Sequence, residues 1–141
     1  MHVSFALFAD AANLSQEGKL NILGVFDAVQ VATLPAVHPR AHLVVRLKGN
    51  RTDIGVHTMT LQWISPSGDE LWNSGGQIEI TPPPPTVTQM DFPLIAPVDL
   101  PLDSSGGYVM RISLDNETRA DVKLQVRIGA PAMMPVNGMV S

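Results

Sequence analysis

Cysteine is absent from this chain. That removes a disulfide framework, a thiolate metal site and a cysteine nucleophile together. It leaves the redox compartment open, since a chain without thiols survives in either. Positive charge is scarce: nine Lys+Arg stand against thirteen Asp+Glu, for a net charge of -4. Such a chain has no basic footprint with which to neutralise phosphates, so no nucleic-acid partner is expected. Long apolar runs are missing as well. No segment approaches the roughly 18 residues of a membrane helix, and no membrane partner is expected. The N-terminal run Val3 to Ala9 lacks a basic start, carries Ser4 and stops at Asp10. It reads as a first strand rather than a signal peptide, which makes the cytoplasm the expected location.

What remains is a globular composition, 45% hydrophobic and 16% charged, too apolar for disorder. At 141 residues the chain fits one domain with a real core. The punctuation is heavy, with 12 prolines and 11 glycines, and the segments between them alternate with the period of a strand.

Val3 to Ala9 places apolar residues on both faces, which predicts an interior strand. Asp10 to Gly18 reads as a loop, because Asp10, Asn13 and Ser15 can bond back to nearby backbone N–H groups. The run Lys19 to Ala32 reads as one long central strand. Its Gly24 marks the place for a bulge, a close approach or a bend.

Leu34 to Pro39 is a connection stiffened by two prolines. Ala41 to Gly49 and Val56 to Ile64 alternate cleanly, and Ser65-Pro66-Ser67-Gly68 has the chemistry of a type I turn closing a hairpin. The return strand opens at Glu70, is interrupted at Ser74-Gly75-Gly76 and resumes from Gln77 to Thr81. Pro82 to Pro85 cannot donate ladder hydrogen bonds. This run is read as a rigid crossover between two sheets rather than a docking site for an aromatic groove. Thr88 to Ala96 reads as a strand whose Pro93 points to an edge or a bulge. Tyr108 to Leu114 and Ala120 to Ile128 form a final hairpin around Asp115 to Thr118. No internal repeat and no long amphipathic helix appear.

The fold expected is all-β: about eight strands in an antiparallel β-sandwich, immunoglobulin-like or jelly-roll-like. Residues 1–130 form the single sandwich domain. Residues 131–141 form a C-terminal tail with three methionines, flexible or packed on a partner.

Several stretches together resemble a family of small uncharacterised bacterial proteins of about this length. They are the Asp10-x-x-Asn13 loop, the run Gly18-Lys19-Leu20-Asn21-Ile22-Leu23-Gly24-Val25-Phe26-Asp27 and the segment Pro35-x-x-His38-Pro39. The proline run and the Gly-x-Tyr hairpin near the C-terminus extend the resemblance over most of the chain. It implies a compact bacterial domain and supplies no activity, cofactor or catalytic residue to carry over.

Candidate chemistry is thin. His38, His42 and His57 lie close in sequence, but zinc needs three or four converging ligands, and no carboxylate is spaced to complete a site. Asp10, Asn13 and Asp27 would converge at one end of the sandwich if the first two strands pair. There they could serve acid–base chemistry or hold a cation, or simply form a structural turn, which is the favoured reading. A Gly-x-Ser-x-Gly elbow and a phosphate-binding loop are absent. Asn13-Leu14-Ser15 and Asn116-Glu117-Thr118 match the glycosylation pattern by chance in a chain read as cytoplasmic. Trp63 shares a face with Leu61 and reads as core, whereas Trp72 could anchor a contact surface.

The function expected is therefore a non-enzymatic binding or assembly domain, acting on a protein partner or by self-association into a homo-oligomer. No catalytic residue, cofactor or metal is expected. The alternatives are a small enzyme or ligand-binding sandwich using the Asp10/Asn13/Asp27 end, and a structural subunit of a particle or phage-like assembly.

Overall fold

A computed structural model describes residues 1–129; the expected tail, residues 131–141, lies outside them. The described residues form nine strands and one short 3-10 turn. In chain order these are β1 (His2–Leu14), β2 (Leu20–Phe26), β3 (Ala28–Val31), β4 (Ala36–Asn50), the 3-10 turn Arg51–Asp53, β5 (Gly55–Ile64), β6 (Glu70–Ile80), β7 (Gln89–Leu102), β8 (Gly106–Leu114) and β9 (Glu117–Ile128).

They build two sheets, one ordered β2-β1-β4-β7 and the other β3-β9-β8-β5-β6. The chain is an all-β sandwich with immunoglobulin-like connectivity. The pair β4–β7 lies in one sheet, and the trio β5–β8–β9 lies in the other, as the B–E and C–F–G strands of such domains do. A buried tryptophan sits on β5, and a tyrosine at the start of β8 bonds back to the preceding corner, both recurrent in that architecture.

The core follows from alternation. Phe8, Leu43, Val45, Leu47, Trp63, Leu100, Leu102, Tyr108, Met110, Ile112, Leu114, Leu124 and Val126 are all buried in one cluster between the sheets. Trp63 stacks on Tyr108 with ring centroids 5.2 Å apart and meets Phe8 edge-on at 6.0 Å. Its indole N–H donates to the Pro101 carbonyl at 2.9 Å, so this large ring is buried without an unsatisfied donor.

Several expectations are corrected. The run Lys19 to Ala32 is two strands in different sheets, separated at Asp27. Neither is central: β2 and β3 are both sheet edges. The break falls at Asp27 rather than Gly24, because Val29 and Val31 pack into the second sheet beside β9 while Phe26 still pairs with Phe8 in the first. This also makes one pairing parallel, Ala28–Val31 along Gln125–Ile128. The predicted loop Asp10–Gly18 shrinks to a turn closed by Gly18 N–H donating to the Ser15 carbonyl at 2.9 Å; β1 continues to Leu14 because Ala11, Ala12 and Asn13 pair with Leu23, Ile22 and Asn21. Ser74-Gly75-Gly76 does not interrupt β6, whose ladder to β5 runs through all three.

The proline run does cross between sheets, from β6 to β7. The Arg51 guanidinium pins its end by donating to the carbonyls of Pro84 and Val87, at 3.3 and 3.0 Å.

Candidate binding surface

Asp10, Asn13 and Asp27 do not converge. Phe8 pairs with Phe26 and Asn13 with Asn21, so Asn13 and Asp27 sit about 20 Å apart along the hairpin at ~3.3 Å per residue. Asn13 accepts from the Asn21 side chain at 2.9 Å, a cross-strand bond on an exposed face. Asp10 faces Gly24, whose φ of 70° is the left-handed region and whose missing side chain leaves room for the Asp10 carboxylate. Asp27 uses its carbonyl to accept from Gln125 N–H at 2.8 Å. The three side chains lie at separate places along the hairpin.

The histidines are separated too. The bulge between His38 and Ala41, with Arg40 at φ 52°, reverses the facing of β4. His38 therefore turns inward onto the Phe26 ring, with centroids 5.1 Å apart, while His42 lies on the outward side with its Nδ1 3.2 Å from the Arg40 carbonyl. His57 is in the other sheet. Among the described residues no three His, Asp or Glu side chains are grouped to hold a metal ion.

His57 has partners the sequence did not reveal. Its Nδ1 lies 2.6 Å from Asp115 Oδ2, and its Nε2 lies 2.6 Å from the Asp53 carbonyl oxygen. Donating to the Asp115 carboxylate and the Asp53 carbonyl raises the imidazole above its usual value, and the His57 bond in turn lowers Asp115. Asp53 is lowered chiefly by the backbone N–H of Asn50, at 2.9 Å.

The sheet edges carry the remaining information. The edge β7 contains Pro93, Pro97 and Pro101. They share one parity, so each removes a donor from the side facing away from β4. The edge β3 is only four residues long. The edge β2 is different: it exposes Leu23 at 72% and Val25 at 60%, and beside it Leu14 is 46% exposed. Sequence reasoning missed this edge because apolar residues on both faces of Lys19 to Ala32 resemble a buried strand. The alternating polar residues Lys19 and Asn21 were the available signal.

The β1–β2 hairpin also curls. Phe5 of β1, Arg46 of β4 and Asp91 and Pro93 of β7 line a cleft of about 560 Å³ together with Gly18, Lys19, Leu20 and Ile22. In a straight hairpin Leu14 would stand about 30 Å from Phe5, so the tip must bend back over the outward face of the four-stranded sheet. Ala9 and Val44, which face away from the core between Phe8, Leu43 and Val45, are fully buried on that side. Arg46 pairs with Asp91 at 3.0 Å at the cleft. No described helix is long and apolar enough to cross a membrane.

Among solved structures, the chain is similar to an immunoglobulin-like protein from Pseudomonas aeruginosa. The identity is 11%, with 89% of this chain and 95% of that chain covered and a TM-score of 0.38. No curated protein matches it in sequence. Residues 4–127 match the model of a family of unknown function, DUF6941, and the chain belongs to that family.

Proposed function

We propose that this sandwich is a non-enzymatic binding or assembly module whose contact surface is the open edge of β2. One observation carries the reading: among the described residues, β2 is the edge strand with large apolar side chains in solvent, Leu23 and Val25. An unpaired edge offers backbone donors and acceptors to an extended strand of another chain, and alternate side chains beside it supply apolar contact. The proline-bearing β7 edge makes a poor docking strand, so contact is directed to one side of the four-stranded sheet. The occupant is a strand from a protein partner or from a second copy, and repetition of the second case would give a particle-like assembly. The catalytic alternative is the less favoured reading, because Asn13 lies at the far end of the hairpin from Asp27.

The test is the absolute mass by light scattering after size exclusion, at two concentrations, for the wild type and for a Leu23→Lys/Val25→Lys variant. A discrete multiple of the 15.2 kDa chain that falls to one chain in the variant supports self-association through β2. A multiple that the variant leaves intact overturns β2 as the surface. One-chain mass at both concentrations removes self-association and leaves a heterologous partner, for which the variant is the negative control.

A further inference from the structure

We propose that His57, clamped between the Asp115 carboxylate and the Asp53 carbonyl, is a pH-sensitive lock that holds one end of the sandwich together as an imidazolium. The geometry requires the charge. Carboxylate and carbonyl oxygens only accept hydrogen bonds, so both ring nitrogens must donate, and only the protonated ring has two N–H groups. Both distances are 2.6 Å, so each ring nitrogen is in direct contact with an acceptor. The ring is only 17% exposed, which limits competition from water.

Three separate parts of the chain meet at this ring. His57 is on β5, Asp53 belongs to the 3-10 turn that joins β4 to β5, and Asp115 sits in the β8–β9 turn. The charged groups facing it are few. Asp115 also accepts from Thr58 N–H at 3.0 Å and feels Arg119 of β9. Asp53 is held by Asn50 N–H and by the Met1 ammonium, at 2.9 and 3.1 Å. The two atoms in direct contact with the ring are both acceptors, one of them a carboxylate oxygen, which favours its proton.

The direction of the pH effect follows from linkage. His57 is raised on folding, so its contribution is fully present below the unfolded value of about 6.5 and is lost as pH climbs through the folded value. Asp115 is lowered, so its side of the lock is present above about 3.9 and is lost as pH falls through its folded value. The lock is closed in mildly acidic solution and opens on the alkaline side. Above that point one ring nitrogen must face an acceptor without a proton.

The decisive measurement is the titration of the four histidine rings by NMR in the wild-type protein, with denaturant unfolding of wild type and His57→Gln across pH 5 to 9. His57 is expected to titrate above the ordinary imidazole value of about 6.5. The wild-type folding constant should fall with rising pH, tenfold for each unit by which His57 is raised, and His57→Gln should lose that slope. A His57 ring that titrates at or below about 6.5 overturns the lock, whether or not the variant folds. Equal pH slopes for the two proteins overturn it independently.

Discussion

Tyr108 fixes the corner between β7 and β8 with one hydroxyl. Its oxygen accepts from the backbone N–H groups of Asp103 and Ser104, each at 2.9 Å, and its proton has Asp103 Oδ1 and the Ser104 carbonyl within 2.7 Å. Replacing it by phenylalanine keeps the ring against Trp63 but leaves two turn N–H groups without their acceptor. Tyr108→Phe should therefore cost about 1–3 kcal/mol, read as a lower urea midpoint with an unchanged m-value. The face that would bury Trp63 was legible in the sequence, because it alternates with Leu61 and Met59. The partnership of His57 with Asp115 was not, since 58 residues separate them and no local pattern announces which two turns will meet. Trp72, which on the sequence alone could anchor a contact surface, stands opposite Trp63 in the ladder and packs against the core. Among the described residues its indole N–H has no partner.

At the scale of elements, strands were easier to read than their neighbours. Alternation located β5, β8 and β9 to within a few residues, because one face of each meets the core; β4 begins at Ala36, inside the expected connection Leu34 to Pro39. Alternation could not rank β2, since a curled hairpin at a sheet edge half-covers apolar residues on both sides and so imitates an interior strand. Proline was a second sign: Pro93 points to an edge or a bulge, and β7 is a sheet edge. Pro93, Pro97 and Pro101 leave Ile95 and Asp99 as the donors of that parity between them, so β7 resists pairing with another chain. Pro97→Thr restores a donor on the exposed side and should increase association, seen as faster growth of light scattering on mild heating. An unchanged rate would mean that the remaining features of the edge protect it without this proline.

At the scale of the molecule, the two sheets share one buried cluster, and every strand contributes to it or packs against it. Unfolding should accordingly be a single transition, with tryptophan fluorescence and far-UV circular dichroism coincident in denaturant; two separated transitions would show that the curled hairpin melts alone. The parallel pairing of β3 with β9 has a consequence for biosynthesis. Val31 is made early, and its partner Ile128 follows roughly a hundred residues later, about 5–20 s at ordinary rates of translation. The β1–β2 hairpin can form as soon as it leaves the ribosome, but β3 has no sheet to join until β9 arrives. For that interval the nascent chain carries a short apolar strand tethered to an open edge, and β9, the last of the described strands, is the one that gives it a partner.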